Sequence, residues 1–156
     1  MRTPKTACRA LLLGSLTAPL VAALIAASPP AGAQTFEFPL VPSLLRDGLC
    51  GTNIHTWANT DPRWPGRAII NMQAQPVIGI GPGDYSFAPQ CEALTTVAWR
   101  NLDTGAQGQY VENIVAGFYG SIQYSLFQDT GPGRIDVTVF TDNANVPAHS
   151  SFVVPQ

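Results

Sequence analysis

Beyond Lys5 the chain has no lysine, and after residue 33 five arginines stand against ten acids. Charged residues make up 12% of the 156, against roughly a quarter in an ordinary globular chain. The solvated surface must then be covered by Thr, Ser, Asn and Gln. Without a basic patch to neutralise phosphate, nucleic acid and anionic membrane surfaces are excluded as partners. Histidine is nearly absent, with only His55 and His149. There is no CxxC pair for redox work, no GxSxG elbow for a serine nucleophile, and no glycine-rich loop carrying a lysine for phosphate. Helix signals are just as scarce. The one candidate is a single turn at "PSLLRDG", opening near Ser43 and stopped by Gly48.

The chain has one long apolar run, "ALLLGSLTAPLVAALIAA" from Ala10 to Ala27, behind Arg2, Lys5 and Arg9 and ahead of "SPPAGA". A basic start, an apolar helix-forming stretch and the small residues Ala31-Gly32-Ala33 read as a signal peptide over residues 1–33. Gly14 and Pro19 interrupt the run, which barely reaches the roughly 20 residues of a membrane span, so cleavage is expected rather than anchoring. A twin arginine is missing, and no cysteine follows the small residues, so the general export route without a lipid anchor is expected. The location implied is secreted, extracellular or at the cell envelope. The expected mature chain has 123 of the 156 residues and a formal charge of −5, and no association with membrane. That length suits one domain burying roughly two-thirds of its chain surface. All 14 aromatic residues lie within it, which argues against disorder.

Three cysteines become two when Cys8 leaves with the signal. Cys50 and Cys91 are then the only pair available in an oxidising compartment. Closing a loop of about 40 residues stabilises by up to roughly 4 kcal/mol on the chain-entropy model.

The mature region shows short runs of period-two alternation between Gly, Pro, Asn and Asp clusters, as strands with one buried face require. Ala68, Ile70 and Met72 share a face, as do Thr95, Val97 and Trp99. Ile122, Tyr124 and Leu126 alternate with serines and Gln123; Ile135, Val137 and Val139 alternate with Arg134, Asp136 and Thr138; Ala148, Ser150, Phe152 and Val154 line up last. "LDTGAQGQ" reads as a hairpin turn in which Gly105 or Gly108 takes positive φ, and "DTGPGR" and "TDNANVP" as further turns. About seven strands with turns every 8 to 12 residues predict an all-β fold, a single antiparallel β-sandwich, with a closed barrel as the alternative. The expected organisation is a Pro-rich N-terminal extension with a short strand over 34–66, then a sandwich core over 67–156.

The stretch "LCGTNIHTWANTDPRWPG", Leu49 to Gly66, holds a cysteine, a histidine and two tryptophans. The spacing of His55, His149 and the aspartates matches no recurring metal-ligand pattern, so no metal and no cofactor are expected. His149 and Ser150 would point to opposite faces of a strand, which defeats a triad built on them. "GIGPGDY" lacks a lysine and holds Pro82, and reads as a loop. Glu37, Glu92 and Glu112 offer no pair set apart for glycoside chemistry, and "TDNAN" is explained by turn formation without a calcium ion. Trp57, Trp64 and Tyr119 lie where alternation is poor, and are the candidate ligand surface if they do not pack around the disulfide. Cys50 is expected to anchor the Pro-rich segment to the strand beginning at Cys91, with the tryptophans around the bridge.

The runs "VAWRNLDTGAQG" and "GPGRIDVTVFTDNANVPAHSSFVVP" give residues 67–154 a resemblance to small secreted β-sandwich domains of actinobacteria. The second run resembles the last two strands of an immunoglobulin-like or fibronectin-like domain. The resemblance implies that fold and a secreted location. "FAPQC" before Cys91 departs from the Asp-x-Gly-x-Tyr-x-Cys pattern of true immunoglobulin domains, so a bridge joining the two sheets in the antibody manner is not expected. Secreted protease inhibitors and chromophore-carrying apoproteins of this size typically hold two disulfides, and this chain can form one. The expectation is a non-catalytic secreted module binding an unknown protein, a glycan or a small apolar ligand. The alternatives are a small secreted hydrolase, or an inhibitor presenting "GIGPGDYSFAPQC" to a protease.

Overall fold

The computed structural model describes residues 32–45, 50–79 and 91–156. The signal segment to residue 31, the last three residues of the expected helical turn (46–48) and the loop over 80–90 lie outside the described residues. Ten strands follow one another: β1 (Gln34–Glu37), β2 (Val41–Leu44), β3 (Cys50–Thr60), β4 (Ala68–Ala74), β5 (Ile78–Gly79), β6 (Cys91–Asn101), β7 (Gln107–Ala116), β8 (Tyr124–Gln128), β9 (Gly133–Thr141) and β10 (Ala148–Val154). No helix occurs among the described residues. Ser43 and Leu44, expected in a helical turn, belong to β2.

The strands form two antiparallel sheets. The first has the order β1-β3-β4-β8, with β2 and β5 also paired to β3, and the second runs β10-β9-β6-β7. β1 and β2 share one flank of β3, against Trp57–Thr60 and Gly51–Ile54 respectively. β4 and β5 share the other flank. Pro39 interrupts the first ribbon and Pro76 the second, because proline has no N–H to give to a ladder. The first sheet is thus four ribbons wide, like the second. Ten strands rather than about seven is the result of these proline breaks and of β3 and β7, whose alternation is muted. Residues 34–66, expected as an extension with one short strand, supply three strands, and β3 lies inside the sheet.

Both sheets turn their period-two apolar sets inward. Ile54, Ile70 and Met72 from the first meet Val97, Ile114, Ile135, Val137 and Val139 from the second, all fully buried. A side chain of this size contributes about 1.5–3 kcal/mol when buried. Phe36 and Phe38 stack on Phe152 of β10 at 5.7 and 6.1 Å between centroids, joining the layers at one flank. Cys50 on β3 and Cys91 on β6 are disulfide-bonded, with Cα atoms 6.4 Å apart. The bridge therefore runs from sheet to sheet, where the sequence had argued against an inter-sheet bridge of the antibody kind.

At the other end, the β6–β7 hairpin closes through Asn101 N–H to the Ala106 carbonyl at 2.7 Å, with Gly105 at φ 78°. Gly108 lies within β7 rather than in the turn. Its missing Cβ leaves room for the Trp99 ring, whose Cζ2 would be 2.6 Å from that atom. The Trp99 indole N–H donates to Gln128 Oε1 at 3.2 Å, tying β6 to β8 in the opposite sheet. Ile122, expected to share an inward face with Tyr124 and Leu126, precedes β8 and is 73% exposed.

Candidate functional site

The outer face of the first sheet carries a groove and a smaller cleft beside it. Because side chains alternate along a strand, β3 sends Cys50, Thr52, Ile54, Thr56, Ala58 and Thr60 inward and Gly51, Asn53, His55, Trp57 and Asn59 outward. Register then fixes their neighbours. Gly51 lies between Leu44 of β2 and Ile78 of β5, Asn53 lies opposite Pro42, and His55 opposite Gln73.

Gly51 makes the floor of a groove. A Cβ there would find nothing nearer than 3.9 Å, so the surface dips between Leu44 and Ile78. The turn after β9 raises the far wall. The Leu44 N–H donates to the Ala144 carbonyl at 2.8 Å and the Val146 N–H to the Pro42 carbonyl at 3.0 Å, extending the sheet by a short stretch. The resulting groove has a volume of about 680 Å³, and its apolar lining comes from Pro42, Leu44, Pro76, Ile78 and Val146. Ile78 and Val146 are 73% and 63% exposed.

Gln75 and Pro76 form one rim of this groove and also line a smaller polar cleft of about 240 Å³ with His55, Gln73 and Tyr119. Tyr119 reaches it from a two-residue hairpin, "GFYG", closed by reciprocal backbone bonds between Gly117 and Gly120 at 2.9 and 3.0 Å. Gly120 has φ 85°, and a Cβ there would meet the Ala74 carbonyl oxygen at 2.5 Å, so this turn requires glycine. The His55 ring stacks on Trp57 at 4.7 Å, and its Nε2 is 2.6 Å from Glu37 Oε2.

Of the three aromatic candidates, Trp57 and Tyr119 flank His55, while Trp64 lies beyond the far end of β3. Trp64 packs edge-on against Phe127 at 5.0 Å, and Arg67 sits over the same Phe127 ring at 4.6 Å. Neither tryptophan packs around the disulfide. Trp57 is seven residues along β3 from Cys50 and on the opposite face. Near Trp64, the Arg63 side chain and backbone N–H both donate to Asp61, at 2.6 to 3.0 Å. These bonds hold the Asp61 carboxyl well below the usual carboxylate range, against the opposing effect of burial.

Between the two ends, Asn71 is a buried hub. It donates to Asn59 Oδ1 at 2.6 Å and accepts from Ser125 and Gln123 at 2.7 and 3.1 Å, so this stretch is spoken for by its own network.

His55 is on the first sheet and His149 on the outer face of the second, where its Nδ1 is 2.9 Å from Thr138 Oγ1. His55 has a carboxylate partner, but no hydroxyl or thiol lies in hydrogen-bond reach of it among the described residues. Ser150 faces inward and His149 outward, as strand alternation requires. Among the described residues no three of His, Cys, Asp and Glu gather where a metal ion could sit. In the "TDNAN" turn Asp142 accepts from the Leu94 N–H of β6 at 3.0 Å and Asn145 donates to the Thr141 carbonyl at 2.9 Å, while Asn145 Oδ1 is buried without a hydrogen-bond partner among the described residues. The inhibitor loop falls almost wholly on residues 80–90, outside the described residues.

No protein-family model matches the chain, and no curated protein or solved structure matches it either.

The groove residues escaped the sequence reading. Leu44, Gly51, Ile78 and Val146 come from four separate segments, and only the register of β2, β5 and the β9–β10 turn against β3 assembles them. The one local trace is the set of prolines at 39, 42 and 76, which mark broken edge ribbons.

Proposed function

We propose that this chain is an exported, non-catalytic binding domain that holds a small apolar ligand in the groove floored by Gly51. The observation that carries this reading is the groove itself. Its volume of about 680 Å³ lies within the roughly 300–1,000 Å³ of small-molecule sites. Its wall residues Leu44, Ile78 and Val146 stay in water on a face where a sheet normally presents polar groups. Export is supported by the signal-like segment 1–33 and is consistent with the disulfide. The immunoglobulin-like or fibronectin-like type is supported by the closing "GPGRIDVTVFTDNANVPAHSSFVVP", which forms the β9–β10 hairpin.

The test is titration with N-phenyl-1-naphthylamine, a neutral apolar fluorophore, against the mature protein and the Gly51→Val variant. A Cβ at 51 would meet nothing nearer than 3.9 Å and valine suits a strand, so the substitution should fill the groove with the fold kept, which the melting temperature checks. Saturable enhancement, weakened at least tenfold in Gly51→Val at unchanged melting temperature, is the expected result. Equal binding by both proteins, or none, would remove the reading. A small hydrolase is the second reading, on the strength of the Glu37–His55 pair beside the polar cleft. It requires ester or glycoside turnover that disappears in His55→Ala.

A further inference from the structure

We infer that the ligand is an amphiphile: an apolar chain lies in the groove, and an uncharged, hydroxyl-bearing head enters the cleft beneath Tyr119. This rests on the groove reading above and adds to it the chemistry of the second half of the ligand.

The two concavities are one surface. Gln75 and Pro76 belong to both, and β3 runs under both, from Gly51 at the apolar end to His55 and Trp57 at the aromatic end. Six residues of strand at about 3.3 Å each give a track of roughly 20 Å. A molecule of that length meets apolar side chains first and hydrogen-bonding groups last.

The identity of the head follows from what the cleft leaves unmatched. Gln73 donates through Nε2 to the Ser121 carbonyl at 3.2 Å, which leaves Oε1 as an acceptor. Gln75 accepts through Oε1 from Asn53 Nδ2 at 3.1 Å, which leaves Nε2 as a donor. His55 is engaged with Glu37 through Nε2, and its Nδ1 makes no bond among the described residues. The Tyr119 phenol is 91% exposed and can act both ways. Donors and acceptors are thus mixed within one small cleft. A hydroxyl satisfies both kinds, a sulfate or phosphate offers acceptors only, and a quaternary ammonium offers neither. Charge disfavours an anion, and the quaternary ammonium is set aside by its lack of hydrogen-bonding groups. Glu37 stands beside the cleft, and the cations among the described residues are elsewhere. Arg63 and Arg67 lie beyond the far end of β3, and Arg100 and Arg134 lie on the second sheet. Among the described residues an anionic head meets no counter-charge there. The Tyr119 ring adds an apolar face against which the C–H face of a sugar ring can rest.

The test keeps the tail constant and varies the head. Octanol, n-octyl β-D-glucoside, octyl sulfate and octyltrimethylammonium are titrated calorimetrically, below their micellar concentrations, into the mature protein and its Gly51→Val, Gln75→Ala and Tyr119→Ala variants. The glucoside is expected to bind at least tenfold more tightly than octyl sulfate or octyltrimethylammonium. Gly51→Val should weaken every probe. Tyr119→Ala and Gln75→Ala should weaken the glucoside about fivefold more than they weaken octanol. If octanol binds and the glucoside gains nothing, or a charged head matches it, the head assignment is overturned while the groove reading stands. If no probe binds, both fall.

Discussion

Asn101 ties two loops of this fold through one side chain. It is fully buried at the end of β6 and uses its whole side-chain amide. Nδ2 donates to the carbonyls of Thr130 and Pro132 at 2.9 and 3.0 Å, and Oδ1 accepts from the N–H groups of Asp103 and Thr104 at 2.9 and 3.0 Å. One side chain thereby holds the β6–β7 turn and the crossover from β8 to β9 in fixed relation. In Asn101→Ala all four bonds are lost. Asp103 and Thr104 are exposed, so their N–H groups can turn to water at a loss of roughly 0.5 kcal/mol each. The Thr130 carbonyl belongs to a buried residue and loses about 1–2 kcal/mol, with a smaller amount for Pro132. The sum is about 3 kcal/mol. With a urea m-value of about 1.5 kcal/mol/M for a domain of this size, the unfolding midpoint should drop by roughly 2 M. Asn113→Ala is the control, because its amide bonds Glu92 in solvent at 2.7 Å, and it should shift the midpoint by less than about 0.3 M. A drop below about 0.5 M for Asn101→Ala would refute the reasoning that this amide clamps the two loops.

Other expectations follow from the same geometry. Replacing both Cys50 and Cys91 by alanine opens a loop whose ends are 41 residues apart, and should remove up to roughly 4 kcal/mol, measured by urea unfolding, with the strand content by circular dichroism unchanged. Unaltered stability would contradict the role given to the bridge. Gly108→Val drives a side chain into the Trp99 ring and should cost about 2 kcal/mol while shifting the Trp99 fluorescence; an unshifted spectrum would show that the ring does not rest there. The Asp61 carboxyl is held low in the folded state, so its contribution is fully present above the unfolded value near 4 and is lost as pH falls towards the folded value. Melting temperature should therefore drop below about pH 4, and Asp61→Asn should be destabilised at neutral pH with a shallower acid limb; parallel limbs would rule this out. Tyr110 is pushed in the other direction, by burial and then by Glu112, so its phenolate should appear above pH 10 only as the protein unfolds.

What could be read in the sequence depended on which residues carried the alternation. β4, β9 and β10 write it in Ile, Val, Met and Phe, and β6 in Val and Trp, and each was legible. In β3 the inward set is Cys, Thr, Ile, Thr, Ala and Thr, and the outward set includes Trp57, so the hydropathy contrast nearly cancels. β7 is inverted: Val111 and Val115 face solvent, while Gly108 and Glu112 are on the inward side, under Trp99 and beside Tyr110. The pairing of Cys50 with Cys91 was legible by elimination, but its crossing from sheet to sheet was not, since that depends on which sheet β3 joins. Trp57 and Trp64 were expected around the disulfide, with a ligand surface shared with Tyr119 as the other reading; Tyr119 is exposed and Trp57 half-buried on the outer face. The groove was not legible, because Gly51 becomes a floor only when Leu44 and Ile78 stand on either side of it.

The most direct test is an amide chemical-shift map of the mature, 15N-labelled protein titrated with n-octyl β-D-glucoside below its micellar concentration. Saturable shifts clustered at Leu44, Gly51, Asn53, Gln75, Ile78, Val146 and Tyr119, with the second sheet silent, are the expected result. Shifts confined to the second sheet, spread evenly over the surface, or absent at saturating probe would contradict the claim that the broken ribbons beside β3 form a binding groove.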